Sequence, residues 1–434
     1  MKFARKTAAL ILAAIMALSL FGCSSGGSES SSGQSGSSDS AVDLEVWYAI
    51  SGNSGETFVS MAEEFDNSND NISLELSYSG NSSDTATKVS AALLSGDAPD
   101  VALMYAGPLY TGGRDDFTMQ ELIKDEDFNA DDIYSGMWDY CSYMDKGICA
   151  VPFGISTQIM YYNKDLVEAA GIDMTNPPET WDEFLEVAET CMEYGKANVS
   201  DDTIGFDTTD SAWLFKSMLK QNGCDIIETS DGTITADFAD DAAVEVADYW
   251  KSLVDAGVMP AGEHSNAENK FLAGTCAFIA ASSNRISRWE GATTFEIGAI
   301  EMPSFGEKSL ALGGNVLVIL TDDETKVNAA WEFIKAMTTT ENNIKFSLAT
   351  GYLPIRKSAV ESSEAQQAIT ENEMYGIAFK QLDYAWSYYH FEQMGTMDSL
   401  MRSSLDQIEK GVGGTTQEVL ESAVSDLQRE IDEA

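Results

Sequence analysis

Apolar and polar residues alternate through Val42-Asp43-Leu44-Glu45-Val46-Trp47-Tyr48, a period of two that predicts a strand. Ser51-Gly52-Asn53-Ser54-Gly55 then turns the chain into residues 56–67, where Phe58, Met61, Ala62 and Phe65 recur at helical spacing. Ile72-Ser73-Leu74-Glu75-Leu76 alternates again, residues 84–94 read as a helix, and Ser95-Gly96-Asp97-Ala98-Pro99 closes it. Asp100-Val101-Ala102-Leu103-Met104-Tyr105 is a short apolar strand. Strand, helix, strand, helix, strand in this order predicts a mainly parallel sheet covered by helices, because parallel neighbours need crossover connections.

The pattern recurs further on. Ile159-Met160-Tyr161-Tyr162 reads as a strand and residues 164–170 as a helix, while Trp181, Phe184, Leu185, Val187 and Ala188 put a helical period through 179–194. Asp231-Gly232 between Ile227 and Ile234 is a hairpin signal. Residues 240–256, 326–338 and 415–433 are amphipathic helices. There is no fixed-period repeat and no structureless linker inside the body. The length of 434 residues allows two or three domains, and two α/β lobes joined by several chain crossings fit the pattern.

The first residues stand apart. Lys2, Arg5 and Lys6 precede an apolar run from Thr7 to Phe21, which is shorter than the roughly 20 residues a membrane span needs. Leu20-Phe21-Gly22-Cys23 resembles a bacterial lipobox, with Phe21 bulkier than usual there, so residues 1–22 are expected to be a lipoprotein signal peptide and Cys23 the lipidated first residue. An uncleaved anchor or an ordinary signal peptide stays open. The Ser/Gly run after Cys23 has nothing to bury, so 23–41 is expected to be a lipidated, disordered tether on the outer face of a cell membrane.

Charge narrows the choice of partner. The chain has 71 Asp+Glu against 25 Lys+Arg, a formal charge of −46, which argues against binding nucleic acid. Solubility is a sufficient reason for that charge. His264 and His390 are the two histidines, too few for a histidine-rich metal site, and no metal or cofactor is expected. After Cys23, cysteines 141, 149, 191, 224 and 276 are odd in number and contain no C-x-x-C pair. They read as small buried hydrophobes, with a Cys141–Cys149 bridge left open. The carboxylates of 125–131 lack the glycine of a calcium loop and have Gly136 where its glutamate belongs. Gly411-Val412-Gly413-Gly414 lies between two helical patterns and is a helix stop, not a phosphate loop. No Walker loop, nucleophile elbow or metalloprotease helix is present. What stands out is Trp47, Tyr48, Tyr105, Tyr110, Trp213, Tyr352, Trp386 and Tyr388 near strand ends and turns. Each alone reads as core packing; together they suit a cleft for a polar small molecule whose ring faces stack on aromatics.

Seven collinear segments then resemble a known family: LLSGDAPDVALMY (93–105), VPFGISTQIMYYNKDLVEAAGI (151–172), PPETWDEF (177–184), FLAGTCAFIAASS (271–283), GGNVLVI (313–319), AAWEFIKAM (329–337) and ATGYLPIR (349–356). They are similar to the family 1 extracellular solute-binding proteins of ABC importers. The resemblance implies an α/β, two-lobed type II periplasmic-binding-protein fold with three inter-lobe crossings, near 154–156, 303–306 and 352–355. One lobe would comprise 42–155 and 304–352, the other 156–303 and 353–434. It also implies a monomer without enzymatic activity that closes over a ligand and docks on permease subunits.

The glycerophosphate-binding branch is resembled in particular, through PFGIST, YYNKD, AASS and TGYLP. Ser156, Ser282, Gly314 and Tyr352 match that branch's ligand contacts, and Trp213 falls where it carries a tryptophan. Three other contacts differ: Ser82 stands for a tyrosine, Ala106 for an acid, and the phosphate-gripping arginine falls on or near Asp398, with Arg402 one turn away. A buried phosphate needs charge-assisted donors, so a neutral carbohydrate is expected instead. Tyr48, Asn53, Asn81, Tyr105, Arg285 and Asn315 complete the candidate ligand-binding set, with Arg285 equally readable as a structural ion pair. The alternatives are a glycerol phosphate or glycerophosphodiester ligand, a surface glycoside hydrolase, and a sensor or adhesin.

Overall fold

The structure, a computed structural model, describes residues 41–433 apart from 107–117, 145, 231 and 263. The signal peptide, Cys23, the tether through residue 40, and Tyr110 lie outside the described residues.

Nine strands make two sheets. They are β1 (Val42–Tyr48), β2 (Ile72–Tyr78), β3 (Val101–Tyr105), β4 (Val151–Ser156), β5 (Gln158–Asn163), β6 (Ile204–Thr208), β7 (Cys276–Ser282), β8 (Ile297–Ile300) and β9 (Gly313–Ile319). The first sheet has the order β2-β1-β3-β9-β4 and the second β8-β5-β7-β6. The chain leaves the first sheet after Ser156 and enters the second at Gln158, returning between Ile300 and Gly313. Leu353 makes an isolated bridge to Ile155 at that same junction. The 226–237 hairpin pairs Ser230 with Thr233 as its turn signal predicts.

The opening strand–helix order produces the expected parallel pairs, β1 with β2 and β1 with β3. The sheets as wholes are mixed, which corrects the mainly parallel expectation: β9 runs antiparallel to both β3 and β4, and β5 antiparallel to both β7 and β8. The reason is topological. β9 re-enters the first sheet from the second, not over a crossover helix, so the rule that enforces parallel neighbours does not apply to it.

Burial explains why the later strands lack alternation. Every residue of β4 and β5 is buried, so these strands read as continuous apolar runs. One core gathers Phe58, Phe153 and Phe346 around the first sheet, with the rings of Phe153 and Phe346 tilted against each other at 4.5 Å. A second core lies on the far face of the second sheet, where Phe184 meets Phe206 and Phe278 edge-on at 5.2 and 5.3 Å. Helices are started by side-chain caps, each worth about 1 kcal/mol. Asn81 accepts from Asp84 N–H ahead of the helix Ser82–Ser95, and Asp210 from Trp213 N–H ahead of Ser211–Gln221.

The second core also holds charge. His264 Nδ1 lies 2.7 Å from Asp207 Oδ1 and its Nε2 lies 2.9 Å from Glu409 Oε1. Trp250 Nε1 and Gly262 N–H donate to the same Glu409 carboxylate, at 2.7 and 2.6 Å. These bonds tie β6 to the helix Met394–Glu409 through the 260s loop. The carboxylate-rich 125–131 segment is engaged as well, with Asp125 accepting from Lys335 at 2.7 Å and Trp331 at 3.1 Å. No cluster suited to a metal occurs among the described residues.

Candidate functional site

A cleft of about 830 Å³ opens where the first strand-to-helix loop faces the turn after β7. Such a volume is within the range of small-molecule sites. Its first-sheet wall carries Asn53, Asn81, Asn315, Thr350 and Tyr352; its second-sheet wall carries Asn284, Ser287, Arg288 and Glu290. Amides and hydroxyls dominate, groups that both donate and accept.

Each wall is held by its backbone. Asn81 is the helix cap described above, with its amide nitrogen also bonded to Asp84 Oδ2 at 2.9 Å. Asn315 sits at a register shift in the β9–β4 ladder, and a bulge there re-aims a side chain. Next to it, Gly314 has φ +123°, and a Cβ at that position would overlap the Gly154 carbonyl, so only glycine lets β9 pass β4 so closely. The Tyr352 ring stacks on Phe346 with an 11° interplanar angle, and its hydroxyl accepts from Asn315 Nδ2 at 3.5 Å. Gly351, φ +75°, allows the 350–352 turn to touch the opposite wall: a Cβ there would lie 2.9 Å from Asn284 Cα. The two walls also share one acceptor, since Asn53 Nδ2 and Ser287 Oγ both donate to Ala349 C=O, at 2.6 and 2.9 Å.

Of the candidate residues, Asn53, Asn81, Asn315 and Tyr352 line this cleft together. Tyr48 packs beneath it between Phe58 and Tyr78. Ser156 is buried opposite Gly313 in the ladder, and Gly314 C=O accepts from Tyr140 Oη at 2.9 Å. Ser282 is half-buried, its hydroxyl accepting from Asn284 N–H at 3.4 Å. Arg285 is committed to Glu268 at 3.0 Å and to Asn284 Oδ1 at 2.8 Å.

Tyr105 and Trp213 belong to a neighbouring polar group. Tyr105 is the register partner of Asn315, so the two side chains share a sheet face. Around Tyr105 stand Asp398, Lys216, Tyr388 and Asp210, and burial, then Asp398, pushes its hydroxyl well above the usual phenol range. Lys216 Nζ pairs with Asp398 at 2.8 Å, both largely buried; Arg402 pairs with Asp210 at 3.3 Å nearer the surface. Burial alone would pull the Lys216 ammonium down, but Asp398, Tyr105 and Asp210 together outweigh it and raise it. Trp213 Nε1 donates to Ala311 C=O at 2.8 Å, and its ring lies so near Gly313 that a Cβ there would be 2.9 Å from Cζ2.

Asn284, Ser287, Arg288, Glu290 and Thr350 line the cleft without having been singled out in the sequence. Thr350 lies within the ATGYLP segment and Asn284 borders AASS, a usable signal; Ser287, Arg288 and Glu290 give none, because polar residues on and just after a single helical turn have no periodicity to violate.

With the geometry in place, the relatives can be named. A family profile described as bacterial extracellular solute-binding protein matches residues 60–372, well over half of the chain. The sn-glycerol-3-phosphate-binding periplasmic protein UgpB of Pectobacterium atrosepticum is 24% identical over 367 residues, 80% of this chain and 81% of that one. Among solved structures, the cyclic alpha-maltosyl-1,6-maltose binding protein of Arthrobacter globiformis superposes with a TM-score of 0.78 at 22% identity, covering 90% of this chain and all of that one. UgpB of Mycobacterium tuberculosis in complex with glycerophosphocholine gives the same TM-score and identity, over 91% of this chain and 99% of that one. The mixed α/β architecture is thus that of two-lobed solute-binding proteins, and the chain belongs to the bacterial extracellular solute-binding proteins, the family that serves ABC importers.

Proposed function

We propose that the protein captures a neutral carbohydrate, whether a sugar, an oligosaccharide or a sugar alcohol, by closing its two lobes, and hands it to the permease of an ABC importer. The observation that carries this reading is the state of the cations. Lys216, Arg285 and Arg402 each face a carboxylate at 2.8–3.3 Å, so an anionic ligand would have to displace Asp398, Glu268 or Asp210. The cleft itself offers amides, hydroxyls and the Tyr352 ring, which match the hydroxyls and ring faces of a sugar. A ligand touching both walls stabilises closure through that differential contact alone.

In this reading the lobes are 42–155 with 304–352, and 156–303 with 353–434. Cys23 carries the lipid that holds the protein at the cell surface, residues 24–41 are the leash, and the protein works as a monomer without turning its ligand over. The ligand contacts are Asn53, Asn81, Asn315 and Tyr352 in the cleft, with Tyr105, Ser156, Trp213, Ser282 and Gly314 beside it, Tyr48 beneath it, and Arg285 as a positioning group.

A second reading, a glycerophosphate or glycerophosphodiester ligand, is favoured by Arg288. It lines the cleft, is well exposed, and lies 3.6 Å from Glu268, the loosest of these ion pairs. The test is a thermal-shift screen against sugars, sugar alcohols and glycerophosphates, since a ligand bound only by the native state raises its melting temperature. A shift with a neutral sugar and none with phosphorylated compounds is expected. A shift with phosphorylated compounds alone would replace the carbohydrate reading with the second one, and release of hydrolysed product from a bound oligosaccharide would overturn the absence of catalysis.

A further inference from the structure

We propose that Cys141 and Cys149 form a disulfide when the chain folds outside the reducing cytoplasm. The helix Ser135–Tyr140 ends at Cys141, and the next residues make a two-residue ladder in which Ser142 opposes Ile148 and Tyr143 opposes Gly147. Carried one position outward, that register sets Cys141 directly opposite Cys149, and Cys149 N–H donates to Cys141 C=O at 2.9 Å. The facing residues of a hydrogen-bonded antiparallel pair have Cα atoms about 5.5 Å apart, inside the span a disulfide bridges. Cys149 Sγ donates to the Gly147 carbonyl at 3.3 Å, a contact it gives up when it bonds to Cys141.

Two of the three other described cysteines have acceptors of their own, and Cys191 is buried in the second core. Cys224 donates to Asp237 C=O and Cys276 to Phe278 C=O, and neither faces another cysteine in a ladder. Both 141 and 149 are buried, and burial raises both thiols, so neither is poised as a nucleophile or metal ligand in the folded protein. The bond therefore forms during folding. One cysteine, as thiolate, attacks a sulfur of a small-molecule or protein disulfide and expels one thiol; the other displaces the second. Two cysteine thiols are oxidised, one oxidant disulfide is reduced, and the two protons end on its sulfurs.

The bridge would brace a functional segment. The strand pair is joined to His390 by His390 N–H to Ser142 C=O at 2.8 Å and Met144 N–H to His390 C=O at 3.1 Å. The staple thus stiffens the support of the stretch that carries Tyr388.

The test uses the full chain, taken from the exported protein and, separately, unfolded in reductant and refolded with oxidised and reduced glutathione. Each sample is alkylated with iodoacetamide under denaturing conditions and digested with trypsin, which cuts at Lys146 between the two cysteines. A linked pair of peptides carrying Cys141 and Cys149 is expected, with Cys191, Cys224 and Cys276 alkylated. Alkylation of both Cys141 and Cys149 in both samples, or a bridge to any other cysteine, overturns the proposal. A second readout is the melting temperature: dithiothreitol should lower that of the oxidised wild type by several degrees and leave the Cys141→Ser/Cys149→Ser protein unmoved. Equal responses of the two proteins would count against the bridge.

Discussion

His264 and His390 are both withdrawn from solvent, yet their surroundings drive them in opposite directions. Burial alone disfavours the charged imidazolium in each case. At His264 that penalty is outweighed by hydrogen bonds to Asp207 and Glu409, and the ring's pKa is raised to about 9. At His390 burial acts together with the nearby Lys216 ammonium, and the pKa falls to about 4. The first is a charged clamp inside the second core, the second a neutral ring edge-on to Tyr140 beside the polar group around Tyr105. The contrast teaches that depth does not set a histidine's charge; the sign of its buried neighbours does.

The most damaging way to break this contrast is to remove a carboxylate from the clamp. Glu409→Ala leaves His264 Nε2, Trp250 Nε1 and Gly262 N–H without their acceptor, and should cost about 3–5 kcal/mol in chemical denaturation. A loss below about 1 kcal/mol would mean that solvent replaces the carboxylate.

Next in size is the alkaline limb of stability. The folded His264 binds its proton up to about pH 9 and the unfolded one up to about 6.5, so the clamp's contribution is complete below 6.5 and lost as pH rises through 9. Its full size is on the order of 3 kcal/mol. Melting temperatures from pH 6 to 10 should fall for the wild type and stay flatter for His264→Gln over that span.

His390 gives the opposite slope. Its folded pKa lies below the unfolded value, so the unfolded chain takes up the proton first, and this stability is present above 6.5 and lost as pH falls toward 4. Lys216→Met should move the His390 pKa upward by roughly one unit, read from imidazole NMR shifts, because one of the two forces holding it down is removed. An unmoved pKa would leave burial as the sole cause.

The smallest effect is expected from the more exposed pair beside that group. Arg402→Gln should cost about 0.5 kcal/mol at most, since solvent screens an ion pair whose side chains are 47% and 34% exposed. It should also leave the His390 titration as it is. A larger loss would show that Asp210 needs its partner to keep capping the helix that carries Trp213 and Lys216.

Legibility differed by element. The helix after Ser51 and the strand at 42–48 were readable because one face of each is covered and periodicity reports that face, and the strand at 101–105, covered on both, was readable as a short apolar run. The direction of β9 was not, because a strand's apolar content carries no information about which neighbour it meets or which way. In the cleft, Asn81 and Tyr352 could be singled out by their places in turns, whereas Ser287 and Glu290 enter only because the 284–290 turn faces the 49–54 loop.

From the order of its residues alone this chain determined its alternating α/β architecture, its acidity, and a family resemblance spread over seven collinear segments. The architecture and the acidity rest on local periodicity and composition and the resemblance on matching segments of the chain, none of which needs knowledge of distant contacts. Which charges neutralise one another was decided only by the tertiary structure. His264 lies 57 positions from Asp207 and 145 from Glu409, and Lys216 lies 182 from Asp398. Electrostatic energy depends on separation in space and on the dielectric around it, and folding alone sets both.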